Sequence, residues 1–373
     1  MSEYLLMNKS KKLLLFRVTY DDVLEEYQCE ELTRFVEPEE LPPRFSRIAA
    51  WLDQRNYAKH KEHLRKWLRE WQLDNISGFL EMTHALSLND SLWVRPADSD
   101  LTWDKVNLYK NDFTDVVSKT AFEKGLHGLK LSTTSPEFTS EGSFEKCWIR
   151  EEDGIYLYKK SSSGFANAGL EAYSEFYATQ YSSALCDDSV SYDLVKFKGS
   201  LVSRCRMFTS EEEGFVPIYK YLDQNDRYSF PDLVKFLEPY GFADDFRNMI
   251  VLDAVIMNPD RHFGNFGFMV NNETYEVLRF APVFDHNMAM LSRAMKEDLS
   301  LDSPYILEMG HKIGPSFVPG ARAMLTDKAK ERLMSLADKP LQLHSSYNLP
   351  RERTDFLEKQ VQHQIHRILR LPK

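Results

Sequence analysis

Met257-Asn258-Pro259-Asp260-Arg261-His262-Phe263-Gly264-Asn265-Phe266-Gly267-Phe268-Met269-Val270 is the stretch whose reading decides the fold. Polar groups able to do chemistry stand there at fixed offsets, between apolar runs that can hold them still. Asp260 and Asn265 are five positions apart, and after a turn the chain continues Arg279-Phe280-Ala281-Pro282-Val283-Phe284-Asp285-His286-Asn287. The segment between Asn265 and Asp285 reads as a β-hairpin. Asp-x-x-x-x-Asn followed by a separate Asp is the spacing of a phosphoryl-transfer site. That chemistry needs a carboxylate to orient the acceptor hydroxyl, and hard oxygen ligands for a divalent cation that offsets phosphate charge.

Upstream of this stretch, residues 228–237 and 242–256 read as helices, with Phe246, Met249, Ile250 and Val255 as a buried stripe. Before them the pattern changes. Residues 192–195 and 200–208 read as strands, and the acidic run at 211–214 and the polar run at 223–226 break the pattern. Residues 130–160 read as loop, strand, a tight turn at Asp153-Gly154, which is a favoured hairpin pair, and a second strand. Side chains alternate along a strand, so Ile155, Leu157 and Lys159 share one face. A lysine buried there needs an anionic partner; otherwise Lys159 marks the strand's exposed end, and Lys160 is the adjacent alternative. Residues 168–185 read as a helix, in which Glu171 and Glu175 are one turn apart and either is placed to pair with Lys159. The Ser/Thr-rich loop around Gly142 is of a kind that lays backbone N–H groups along a polyphosphate, although such loops are common. Gly164 and Gly169 do not open a Walker A loop, because Leu170 and Glu171 stand where Lys and Ser/Thr must be. A strand-rich portion thus precedes a helix-rich one, with a hinge near 206–226, the two-lobed plan in which a nucleotide lies in the cleft.

The motif Asn258-Pro-Asp260-Arg-His262-Phe-Gly-Asn265-Phe266-Gly, with Ala281-Pro-Val-Phe-Asp285, resembles the C-terminal lobe of HipA-like protein serine/threonine kinases, in particular their CtkA-like stand-alone branch. Thr139-Ser-Glu-Gly142-Ser-Phe-Glu145-Lys146 is similar to the phosphate loop of that family. The matching motifs span roughly residues 130–290, and phosphoinositide kinases share the Asp-Arg-His-x-x-Asn core. The resemblance implies an α+β, two-lobed, protein-kinase-like fold (HipA/phosphoinositide-kinase-like) with an N-terminal accessory α/β region. The expected division is 1–118 accessory domain, 119–222 kinase N-lobe and 223–373 kinase C-lobe.

By the same resemblance Asp260 is the catalytic base, His262 a brace of its loop, and Asn265 and Asp285 the ligands of Mg2+. Lys159 would bind the α/β-phosphates of ATP with Glu175 as its helix partner. Gly142, Ser143 and Lys146 would line the phosphates, and Met207 and Phe208 the adenine. Family members can be silenced by autophosphorylation of the phosphate loop; Thr139 aligns with that position, and Ser135, Ser140 and Ser143 are nearby. Two departures stand out: His286-Asn287 follows Asp285 in place of Phe-Gly, and glycine is sparse in the phosphate loop. The implied activity is transfer of the ATP γ-phosphate to a protein hydroxyl. The alternatives are a lipid or small-molecule kinase of the same fold, and a nucleotide-binding pseudokinase acting as an interaction module.

The rest of the chain sets bounds. In its 373 residues the net charge is −10, which disfavours a general nucleic-acid binder. Cys29, Cys147, Cys186 and Cys205 are scattered without a Cys-x-x-Cys pair, which fits a reducing compartment better than a disulfide or zinc framework. The N-terminus lacks the layout of a signal peptide, and no apolar run approaches the ~20 residues of a membrane span, so a cytoplasmic protein is expected. Residues 4–20 predict a buried strand or hairpin. Residues 44–72 predict an amphipathic helix with Leu64, Trp67, Leu68 and Trp71 on one face and a basic opposite face, the ordinary solvated surface of a packed helix or, as the alternative, a docking surface for an acidic partner or nucleic acid. Helices are expected over 326–337 and 350–371, with a structural role.

Overall fold

The computed structural model describes residues 2–21, 26–55, 80, 83–113, 146–163, 167–223 and 225–371. In chain order its strands and helices begin β1 (Ser2–Asn8), β2 (Lys11–Asp21), β3 (Glu26–Arg34), α1 (Ile48–Arg55), β4 (Leu92–Pro96), α2 (Trp103–Val106), β5 (Lys146–Glu151) and β6 (Gly154–Lys160). They continue α3 (Glu171–Leu185), β7 (Tyr192–Phe197), β8 (Ser200–Arg206), β9 (Glu213–Pro217), α4 (Phe230–Leu237), α5 (Ala243–Val255), β10 (Gly267–Asn271) and β11 (Val277–Phe280). Four helices close the chain: α6 (Pro304–Glu308), α7 (Phe317–Met324), α8 (Asp327–Leu336) and α9 (Arg351–Leu369). The strands form three sheets, ordered β3-β2-β1-β4, β5-β6-β8-β7 and β11-β10-β9. Among the described residues no helix is long and apolar enough to cross a membrane.

The chain divides into two compact units. The first comprises Met1–Leu157, Thr209–Val216 and Met269–Leu278. Its N-terminal sheet begins with the antiparallel hairpin of β1 and β2, paired from Ser2↔Val18 to Asn8↔Lys11. The apolar run around Leu13–Phe16 therefore lies in a buried strand, and Leu6, Leu14, Phe16, Leu52 and Val94 pack as one core. Of the predicted 44–72 helix, residues 44–47 are not helical and α1 begins at Ile48; Leu64, Trp67, Leu68 and Trp71 lie outside the described residues. The acidic run at 211–214 had read as a break, but Glu213 and Gly214 begin strand β9. The glycine is what the strand requires: a Cβ at Gly214 would stand 2.6 Å from the Asn89 carbonyl oxygen.

The second unit comprises Tyr158–Phe208, Pro217–Phe268 and Arg279–Lys373. Helix α5 is its apolar centre, with Phe246 and the run from Met249 to Leu252 buried. Helix α4 opens with a capping box in which Ser229 and Asp232 satisfy each other's backbone N–H groups. Helix α7 was absent from the sequence expectation because Pro319 and Gly320 lie inside it. Proline is tolerated in a helix's first turn, and a Cβ at Gly320 would press to 3.1 Å from the His311 ring. Helix α9 buries Leu357, Val361, Ile365 and Ile368 together with Gln360 and Gln364 on its inner face. Those glutamines are not idle: Gln364 Nε2 donates to the Ala254 carbonyl at 3.1 Å, and Gln360 Nε2 lies 3.4 Å from Met257 Sδ. The last helix therefore braces the end of α5, where the polar loop begins.

Candidate active site

The polar loop follows directly from α5. Met257 sits at φ 54°, a left-handed conformation that costs a side-chain-bearing residue about 1 kcal/mol. This turns the chain out of the helix. Asn258 then caps it: its N–H donates to the Asp253 carbonyl at 2.8 Å and its Nδ2 to Asp253 Oδ1 at 3.1 Å. Asn258 Oδ1 in turn accepts from the Asp260 N–H at 3.2 Å, which sets the backbone from which the Asp260 side chain leaves.

Arg261 points the other way, into the core. It is fully buried, and so is Asp253. Their ion pair is two-pronged, Nε to Oδ2 at 2.9 Å and Nη2 to Oδ1 at 3.0 Å. Burial alone would lower the Arg261 guanidinium; Asp253 outweighs it and holds the group charged. The remaining nitrogen, Nη1, donates to the Asn265 carbonyl at 3.0 Å and to the Phe284 carbonyl at 2.6 Å. One side chain thereby fastens the end of the loop to the residue preceding Asp285. A buried guanidinium has five donors in a fixed fork, so it can make these ties at once where a lysine cannot.

His262 stays at the loop. Its Nδ1 accepts from the Gly264 N–H at 3.0 Å, and burial pushes its imidazole down, which keeps that nitrogen an acceptor. Asn265 is buried, and its N–H donates to the His262 carbonyl at 2.9 Å.

Asp285 stands at φ 64°, a conformation that aspartate tolerates better than most residues. Its N–H donates to the Tyr192 hydroxyl oxygen at 3.0 Å. Next to it, Ser174 of α3 donates to the His286 carbonyl, and burial together with the Arg261 charge pushes the His286 imidazole well down.

Lys159, near the end of β6, meets two carboxylates. Its Nζ is 2.7 Å from Glu175 Oε1 and 3.0 Å from Asp285 Oδ1, and lies over the Tyr192 ring. Burial alone would lower this ammonium; Asp285 and Glu175 outweigh it and hold it well above its ordinary value. Glu175 is also bound by the Ser203 hydroxyl of β8. The partner on α3 is Glu175 and not Glu171, which binds Ser162 and lies 3.6 Å from Arg293. Lys159, Glu175 and Asp285 are thus brought together, and Arg261 ties the backbones at Asn265 and Asp285.

The remaining expected residues are placed as follows. Met207 and Phe208 follow the end of β8, and the Phe208 ring lies 5.3 Å from that of Phe284. Lys146 opens β5. Gly142, Ser143, Thr139, Ser135 and Ser140 lie outside the described residues.

Among the described residues no three His, Cys, Asp or Glu side chains gather as a metal cluster. An amide oxygen from Asn265 and a carboxylate from Asp285 are instead two hard-oxygen donors of the kind Mg2+ takes alongside phosphate oxygens and water. Asp253, Tyr192, Ser203 and Arg261 went without an assigned role in the sequence reading. The available signal was Asp253 itself: a carboxylate inside Met249-Ile250-Val251-Leu252-Asp253-Ala254-Val255 must be buried, and a buried charge needs a partner.

No protein-family profile and no curated protein matches the chain. Solved structures do. The chain is similar to a Helicobacter pylori proinflammatory kinase, CtkA, with a TM-score of 0.50 and 17% identity over 62% of this chain and 91% of that one. It is also similar to a chain from the Shewanella oneidensis toxin–antitoxin complex of HipA, HipB and operator DNA, with a TM-score of 0.53 and 11% identity over 99% of this chain and 100% of that one.

Proposed function

We propose that this chain, which has a mixed α/β, kinase-like fold of the HipA and CtkA kind, is an ATP- and Mg2+-dependent protein serine/threonine kinase. The observation that carries this is Lys159, an ammonium held between Glu175 and Asp285 at 2.7 and 3.0 Å, inside a fold of that kind. A lysine paired to a helix glutamate and standing beside the metal-binding aspartate is the arrangement that phosphoryl transfer uses to hold the α/β-phosphates.

In this reading Asn265 and Asp285 hold Mg2+, which supplies positive charge against the phosphate oxygens. Lys159 orients the α/β-phosphates. Asp260 accepts the proton of the acceptor hydroxyl as its oxygen bonds to the γ-phosphorus, while the bond from that phosphorus to the β–γ bridging oxygen breaks and ADP leaves. His262 and Arg261 keep the loop in shape. Met207 and Phe208 are assigned to the adenine, and Gly142, Ser143 and Lys146 to the phosphates. The domain reading goes with this assignment: 119–222 as N-lobe, 223–373 as C-lobe and 1–118 as accessory region. Thr139, or Ser135, Ser140 or Ser143, is the expected site of autophosphorylation, where about two added negative charges would repel bound triphosphate. The setting proposed is cytoplasmic, with a protein acceptor.

The test is incubation with γ-labelled Mg-ATP and cell-lysate protein, beside lipid and sugar acceptors. Label on protein alone, lost in Asp285→Ala, supports the proposal. Label on lipid or sugar points to the other kinases of this fold, and nucleotide binding without transfer to a pseudokinase. Mass spectrometry of the same sample reads the phosphate loop.

A further inference from the structure

We propose that Lys312 is a positioning residue of the transfer site, setting the orientation of the Asp260 carboxylate; this rests on the reading of Asp260 given above. Lys312 Nζ lies 2.7 Å from Asp260 Oδ1, although the two residues are 52 positions apart. Both side chains are substantially exposed, at 52% and 39%. An ion pair so exposed contributes little to stability, because the long lysine loses freedom and water screens the charges. The structure around it is nevertheless built to deliver it.

Lys312 leaves a tight turn closed by a bridge between Gly310 and Ser316. Within the turn the His311 N–H donates to the Pro315 carbonyl at 3.2 Å, and the Gly314 N–H to the His311 carbonyl at 3.3 Å. The neighbouring His311 is the anchor. Its ring meets Phe230 of α4 edge-on at 5.3 Å and Phe317 of α7 at 4.9 Å. Glycines let the turn come that close: a Cβ on Gly314 would stand 2.5 Å from Phe230 Cε1, and one on Gly310 2.9 Å from Ser316 Cα. Phe230 in turn packs edge-on against Phe246 of α5, the helix that launches the Asp260 loop. Asp260 is fixed from its own side through Asn258. Both backbones are therefore mounted on α5, and the ammonium meets the carboxylate between two fixed points.

An ammonium on one carboxylate oxygen sets the rotation of the group and directs the other oxygen to the acceptor hydroxyl. Positioning of this kind is worth up to about a hundredfold in rate.

The experiment compares wild type, Lys312→Met, Lys312→Arg, Asp260→Asn and the Asp260→Asn/Lys312→Met double variant in labelled transfer from Mg-ATP to lysate protein, with a melting curve for each. The expected result is a fall in transfer rate at saturating ATP of about 10- to 100-fold in Lys312→Met, with KM for ATP and melting temperature unchanged. Lys312→Arg restores most of the rate, and the double variant is no slower than Asp260→Asn alone. A Lys312→Met rate equal to or above wild type, or a loss that follows the melting temperature and is not restored by arginine, overturns the role of Lys312. With Asp260→Asn inactive, that result leaves the kinase reading standing. A wild type that transfers nothing, or an Asp260→Asn variant as active as wild type, overturns the reading of Asp260 and the role of Lys312 with it.

Discussion

Arg261 and Asp253 form a two-pronged ion pair in which neither side chain is reached by solvent, and the same guanidinium holds the carbonyls of Asn265 and Phe284. The pair is the internal splint of the candidate site. It takes a loop that begins at Met257 and a turn that ends at Asp285 and makes them one body.

A buried pair of this kind is costly to break from one side, because the remaining charge is left without compensation. Arg261→Met and Asp253→Ala are each expected to lose about 3–5 kcal/mol of unfolding free energy in urea titration. Arg261→Lys is expected not to restore it, since a point charge cannot replace the fork that reaches Asp253, Asn265 and Phe284 together. Near-wild-type stability in either single variant would remove the splint from the account.

Lys159→Met and Asp285→Asn separate binding from chemistry. Lys159→Met is expected to weaken nucleotide binding, read as loss of the melting shift on adding Mg-ATP. Asp285→Asn is expected to lower phosphate transfer by at least about a hundredfold, the scale of removing one group that stabilises developing charge. Glu175 is buried against Lys159 and Ser203, so Glu175→Gln should cost stability as well as rate. Indifference of transfer to Asp285→Asn would show that this carboxylate does no metal work.

Acid should destabilise the fold through its buried histidines. Burial pushes the His311 imidazole down to about 4, and those of His286, His262 and His84 also downward. Above pH ~6.5 these groups are neutral in both states and add no pH dependence. As pH falls below ~6.5 the unfolded chain takes up protons that the folded chain refuses, so stability drops, and for His311 it continues to drop until about pH 4. The gap is worth on the order of 3 kcal/mol for His311. Unfolding free energy measured at pH 7, 6 and 5 should decline, and His311→Leu should flatten the decline. A slope unchanged in His311→Leu would mean that His311 takes up its proton in the folded state as readily as in the unfolded.

Gly314 has no room for a methyl group beside Phe230. Gly314→Ala is expected to cost about 1–3 kcal/mol, the range for inserting a methyl group into packed surroundings. A melting curve checks it, and an unshifted melting temperature would show that the 310–316 turn yields freely.

The sequence carried the site in unequal parts. Asp260, Asn265 and Asp285 were singled out because they stand at fixed offsets around one short stretch, and the fold then sets Asp285 against Lys159. The hairpins at β1–β2 and β5–β6 and the helices α3, α4, α5, α8 and α9 were legible from periodicity and turn residues. The choice between Glu171 and Glu175 was not, since both sit one turn apart on the same helix and only the fold decides which meets Lys159. Strand β9 hid behind three glutamates and a glycine, since only the fold shows Gly214 passing close to the Asn89 carbonyl. Helix α7 hid behind Pro319 and Gly320. Lys312 carried no local signal at all: its meaning lies in a partner 52 positions away, and neither residue's neighbours announce the other.

The most direct measurement is transfer of labelled γ-phosphate from Mg-ATP to lysate protein by the wild type and by Asp260→Ala, with both shown to be folded by their melting curves. Labelled serine or threonine is expected with wild type, and none above background with Asp260→Ala. Equal labelling by the two proteins, or none by a folded, nucleotide-binding wild type, would contradict the kinase reading.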